Sequence, residues 1–94
     1  MKKSYLFIYD ELVGMREEVQ NVINKMNKVY TWRYDIPNCF YIISDYSAKE
    51  IYDEFVTING IKGRFMFIET SPNRQGQMLP DTWYLLTNKE HKQK

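Results

Sequence analysis

Tyr5-Leu6-Phe7-Ile8-Tyr9-Asp10-Glu11 reads YLFIYDE, an unbroken run of bulky apolar and aromatic residues that ends in two acids. Aromatic and β-branched residues bounded by charge predict a strand over residues 4–10. Side chains alternate along a strand, so Leu6 and Ile8 face one way while Tyr5, Phe7 and Tyr9 face the other. Both faces are therefore apolar. A sheet with one face in water would carry polar residues at every second position.

The same double pattern recurs twice. In NCFYIIS (38–44), Cys39, Tyr41 and Ile43 oppose Phe40 and Ile42; in GRFMFIE (63–69), Phe65 and Phe67 oppose Met66 and Ile68. Between these strands the spacing changes. Met15, Val19, Val22, Ile23 and Met26 share one face at helical spacing, which predicts an amphipathic helix over 15–28. Glu17 and Glu18 suit its positive end, Lys25 and Lys28 its negative end. VYTWRY (29–34) is strand-like, and Asp35-Ile36-Pro37-Asn38 makes a hairpin-sized turn to 38–44. Ser47-Ala48-Lys49-Glu50 is a capping box that starts a second helix with Ile51, Phe55 and Val56 inward, ending before Asn59-Gly60. After the polar stretch TSPNRQGQMLPD, the run TWYLLT (82–87) predicts a fifth strand, and NKEHKQK forms a polar, frayed tail over 88–94.

The order is β-α-β-β-α-β with an added strand. This is the α+β, ferredoxin-like plan, one domain over 1–87, with both helices on one face of an antiparallel sheet. Two helices cannot cover both apolar faces, so the second face is expected to meet a partner or stacked bases.

Bulk composition narrows the function classes. Ninety-four residues suit one domain. A net charge of +1 supplies no global pull toward nucleic acid or membrane. Cys39 is the single cysteine, so no internal disulfide forms, which favours a reducing compartment. Lys2 and Lys3 precede an apolar run too short for a signal peptide or a membrane span. The expectation is a soluble, cytoplasmic protein with no membrane association.

The aromatic-aliphatic first strand ending in Tyr9-Asp10, the hairpin strand NCFYIISD before a capped helix, RFMFIE, and the Trp-containing Thr82-Trp83-Tyr84-Leu85-Leu86 carry a resemblance. Together they resemble the small CRISPR-associated protein two family and, more closely, the SinR-like proteins; VapD-type ribonucleases share the plan more distantly. The resemblance covers residues 4–87. It implies a ferredoxin-like homodimer with facing sheets, the last strand reaching across the interface. Phe65, Phe67, Trp83, Tyr84 and Leu85 would line that interface. It also implies a catalytic, metal-ligating role for Asp10, with Mg²⁺ or Mn²⁺ held between two symmetry-related carboxylates in an RNA or DNA endonuclease. In many such proteins the role is instead structural, a dimeric bridge for a protein or nucleic-acid partner.

The residues themselves keep these readings open. One acid per chain can serve a shared Mg²⁺, because the ion often takes only one or two carboxylates. The plainer reading has Asp10 and Glu11 ending the strand. Arg33, Arg64 and Arg74, with Lys62, can contact phosphates or stand as solvated or interface charges. Phe7, Tyr9, Phe65 and Phe67 loosely match an RNA-recognition pattern, but that pattern belongs directly after the hairpin and here follows the second helix. Cys39 beside Phe40 reads as a small buried hydrophobe. His91 stands alone in the tail, and Trp32 and Trp83 read as packing anchors. The leading expectation is a homodimeric module that works by binding. A divalent-metal endonuclease and a toxin–antitoxin or regulatory protein-binding component are its rivals.

Overall fold

A computed structural model describes residues 1–93. Its elements are β1 (Lys3–Tyr9), α1 (Arg16–Lys25), β2 (Thr31–Arg33), β3 (Cys39–Ser44), α2 (Ala48–Asn59), β4 (Phe65–Glu69) and α3 (Pro80–Asn88). The four strands form one antiparallel sheet in the order β2-β3-β1-β4. This small α+β arrangement is consistent with the ferredoxin-like plan.

The strand reading of YLFIYDE holds, and its register explains why both faces are apolar. Phe7 pairs with Phe40 on β3 and with Phe67 on β4. On the first face, the rings of Tyr5, Phe7, Tyr9, Phe40 and Phe67 meet Val19, Val22 and Ile23 of α1, Met26 just past its end, and Ile51 and Phe55 of α2. Phe7 stacks on Phe67 at 4.3 Å between ring centres and meets the edge of Phe55 at 4.9 Å. Such aromatic pairs add about 0.5–1.5 kcal/mol each beyond the area they bury.

Local chemistry sets the helix ends. Ser47 Oγ accepts from the Glu50 N–H at 3.2 Å, and the Ser47 N–H donates to Glu50 Oε1 at 3.0 Å, completing the box at the start of α2. Glu54 uses both carboxylate oxygens to accept from the Asn27 and Lys28 N–H groups at 2.8 and 3.0 Å. These bonds tie the exit of α1 to α2.

Two expectations are corrected. The segment 82–87 is not a fifth strand but most of helix α3. Pro80 opens that helix with Asp81 in its first turn. Pro at the first helical position gives up a donor that has no partner there anyway. Thr82, Leu85 and Leu86, spaced at i, i+3 and i+4, are the buried residues. The unbroken bulky run of TWYLLT does not by itself separate helix from strand, since β1 and β3 carry equally unbroken runs.

The two helices expected on one face, α1 and α2, do share it; the second correction is that a third helix takes the other face. α1 and α2 cover the first face, while α3 packs on the second, where Leu85 and Leu86 meet Cys39, Tyr41 and Ile43. The C-terminal segment therefore covers its own sheet and does not extend a sheet edge. Among the described residues, no helix is long and apolar enough to cross a membrane.

Candidate functional site

Asp10 follows the last residue of β1, and its carboxylate is used by the chain itself. Oδ1 accepts from the Leu12 N–H at 3.0 Å and Oδ2 from the Arg64 N–H at 3.1 Å. The Asp10 N–H in turn donates to the Arg64 carbonyl at 2.9 Å. Asp10 thus fastens the β1–α1 loop to the α2–β4 loop. Gly63 makes room for this. It sits at φ +71°, and a Cβ there would lie 2.4 Å from Asp10 Oδ1 and 2.8 Å from the Val13 nitrogen. Glu11 is exposed. Among the described residues, no group of three or more His, Cys, Asp or Glu side chains converges as a metal site.

The three arginines lie apart. Arg33 is on edge strand β2 and Arg64 immediately precedes β4 at the opposite edge. Arg33 Nε donates to Thr82 Oγ1 at 2.9 Å. Arg74, in the loop before α3, donates to the Ser71 carbonyl and to Thr87 Oγ1, both at 2.9 Å, and its guanidinium lies 5.9 Å over the Trp83 ring. Arg64 is exposed and borders an open pocket with Ile8, Asp10, Phe65 and Met66.

The residues expected at a dimer interface are mostly engaged within the chain. Phe67 and Leu85 are buried, and Phe65 is half-buried between Tyr52 and Phe55. Trp83 and Tyr84 are half-buried on α3. Phe7 and Tyr9 lie beneath α1 and α2 with Phe67, so these rings offer no open stacking platform.

A polar cluster that the sequence reading missed holds α3 in place. The Tyr41 hydroxyl donates to Asp35 Oδ1 at 2.5 Å, the Thr82 hydroxyl donates to Asp35 Oδ2, and Arg33 Nε stands 3.9 Å from the same oxygen. Burial, then the hydrogen bond to Asp35 and its charge, push the Tyr41 hydroxyl well above the ordinary tyrosine range. Burial and then the Asp35 charge raise the Cys39 thiol to about 11, so it stays protonated near neutrality. The signal was present as an acid in the hairpin turn and a Thr in the first turn of the last helix, but only tertiary contact joins them. The Tyr9 hydroxyl is buried without a hydrogen-bond partner in the chain. Burial, partly offset by the Arg16 charge, raises its pKa. His91 Nε2 lies 2.8 Å from Thr31 Oγ1, which brings the tail to β2.

The second face has an uncovered half. Ile8, Met66 and Ile68 are 45%, 53% and 49% exposed, and they adjoin one another because Ile8 pairs with Met66 and Leu6 with Ile68. This strip ends at β4, the outer strand. Compared with known protein families, curated proteins and solved structures, the chain finds no match.

Proposed function

We propose that this chain is a small homodimeric module of the ferredoxin-like, SinR-like type that acts by binding a protein partner. One observation carries the reading: the strip of Ile8, Met66 and Ile68 lies open beside the outer strand β4. Large contiguous exposed apolar patches mark interaction sites, and this strip is contiguous across two strands. Arg33 and Arg64 stand at opposite edges of the sheet, which favours a protein partner over a phosphate backbone tracked by one basic patch. Both oxygens of Asp10 already accept backbone N–H groups, which favours its structural reading.

Sedimentation of the purified protein at micromolar concentration tests the dimer. Met66→Glu and Ile68→Glu should weaken association while leaving the fold intact, since both side chains face solvent. The endonuclease alternative has its own test. Cleavage of RNA or DNA that needs Mg²⁺ or Mn²⁺ and disappears in a folded Asp10→Asn variant would replace the binding reading with catalysis. Tight nucleic-acid binding lost on removal of Arg33, Arg64 and Arg74 would replace the protein partner.

A further inference from the structure

The two edges of the sheet are unequal. Edge strand β2 is short, Thr31–Arg33, and its Arg33 is tied to α3. Edge strand β4 is longer, and its sequence FMFIE contains no Lys, Pro or Gly. Charged side chains, above all lysine, with proline, bulges and short length are the usual protections of an edge, and β4 carries only Glu69, at its end.

The hydrogen bonds show which backbone groups β4 leaves free. The Asp10 N–H donates to the Arg64 carbonyl, and the Thr70 N–H donates to the Ser4 carbonyl. In an antiparallel ladder the bonded residues alternate. The even-numbered residues Met66 and Ile68 therefore direct their N–H and C=O groups to β1. Phe65, Phe67 and Glu69 direct theirs outward. Among the described residues, no hydrogen bond reaches those outward groups.

Resting on the homodimer reading above, we infer that β4 pairs antiparallel with β4 of a second copy, centred on Phe67 opposite its own mate. The two-fold axis then stands perpendicular to the sheet, and each residue meets one on the same face. Phe67 pairs with Phe67, and Phe65 with Glu69. All the outward N–H and C=O groups are satisfied within the strands. A shift of two residues in one direction sets Glu69 against Gly63, which is in the left-handed region and outside the strand. A shift the other way sets Phe65 against Ser71, beyond the other end. The Phe67 register also places no like charges opposite each other, since Arg64 meets Thr70 and Glu69 meets Phe65. On the second face it sets Met66 beside Ile68 of the mate. The two apolar strips become one continuous surface across the axis. Paired edges of this length make a small interface, so the dimer is reversible.

The test uses the full chain. Wild-type protein should sediment as a reversible dimer. Glu69→Pro removes an outward donor and leaves the β1 ladder bonded, so it should weaken dimerisation at least about tenfold. A second measurement does not depend on that variant folding. Met66 and Ile68 of the mate form a non-hydrogen-bonded pair, with Cα atoms about 4.5 Å apart, within disulfide reach. Mixed Met66→Cys and Ile68→Cys chains should cross-link under mild oxidation, and neither should cross-link alone. The buried Cys39 is too poorly reactive to compete. A wild-type monomer at every concentration overturns both this register and the homodimer. A dimer untouched by a folded Glu69→Pro, or Met66→Cys chains that link alone as readily as the mixture, overturns the register and leaves the homodimer standing. A mixture that fails to link although the wild type is dimeric does the same.

Discussion

Gly63→Ala tests whether Asp10 is a structural staple. Two terms add at this position. The backbone sits at φ +71°, where an L-residue is strained by roughly 1–2 kcal/mol. The new Cβ would also come within 2.4 Å of Asp10 Oδ1 and 2.8 Å of the Val13 nitrogen. The carboxylate must then move and give up its bonds from the Leu12 and Arg64 N–H groups. Hydrogen bonds to a charged group contribute about 1.5–3 kcal/mol each, and this half-exposed pair belongs at the low end. The expected loss is about 4–5 kcal/mol, a large share of the 5–15 kcal/mol typical of a small domain. Gly60→Ala is a control for backbone strain alone. Gly60 sits at φ +79° and ψ 178°, a region nearly reserved for glycine, with nothing within 4 Å of its Cβ, so the substitution should cost only strain of about 1–3 kcal/mol. Urea unfolding followed by tryptophan fluorescence measures both, with the midpoint moving and the slope unchanged. In an Asp10→Ala background the extra cost of Gly63→Ala should shrink, because the bonds it breaks are already gone. A Gly63→Ala loss that stays undiminished in the Asp10→Ala background would refute the staple.

Three further outcomes follow from the same contacts. The Cys39 thiol is raised from 9.0 to about 11 in the fold, so its contribution is full below pH 9 and fades as pH rises through 11. The loss should be at most about 2–3 kcal/mol, and Cys39→Ala should flatten that part of the urea-stability profile while the fall due to Tyr41 above pH 10 remains. Thr82→Val takes a hydroxyl from Asp35 and Arg33 and should cost about 1–3 kcal/mol, with hydrogen exchange across 82–86 quickening more than exchange in β1. Ser47→Ala opens the capping box and should cost about 1 kcal/mol in the same urea assay.

Where the decisive contacts were local, the fold was legible. The capping box at Ser47, the apolar stripe of α1 and the unbroken aromatic run of β1 each announce one element, and each stands where expected. α3 was misread because aromatic and branched residues suit strands and Trp83-Tyr84-Leu85 looked like one. The better signal was Leu79-Pro80-Asp81, a proline at the first helical position with an acid in the first turn. The Asp35 cluster was out of reach, since its members lie on the hairpin, β3 and the last helix, and nothing in their spacing joins them. The apolar character of both faces was read correctly. Its assignment to a partner or stacked bases was incomplete, because the chain supplies part of the cover.

How large that part can be follows from dimensions. A helix with its side chains is about 10–12 Å across, and strands lie about 4.8 Å apart, so one helix shades roughly two strands of a sheet. α1 and α2, packed side by side, are enough for all of the first face. α3 alone is enough for about half of the second. Its position over that half is set by chemistry: Thr82 and Arg33 bind it to Asp35 at the hairpin, drawing it over β3. The uncovered half must then fall on the β4 side, where Ile8, Met66 and Ile68 stand exposed. The same polar anchor that completes the core on one side therefore leaves the apolar strip next to the less protected edge. A strand added to β4 would widen the sheet by one spacing and prolong the strip, and a partner of about one helix's width would be needed to close it.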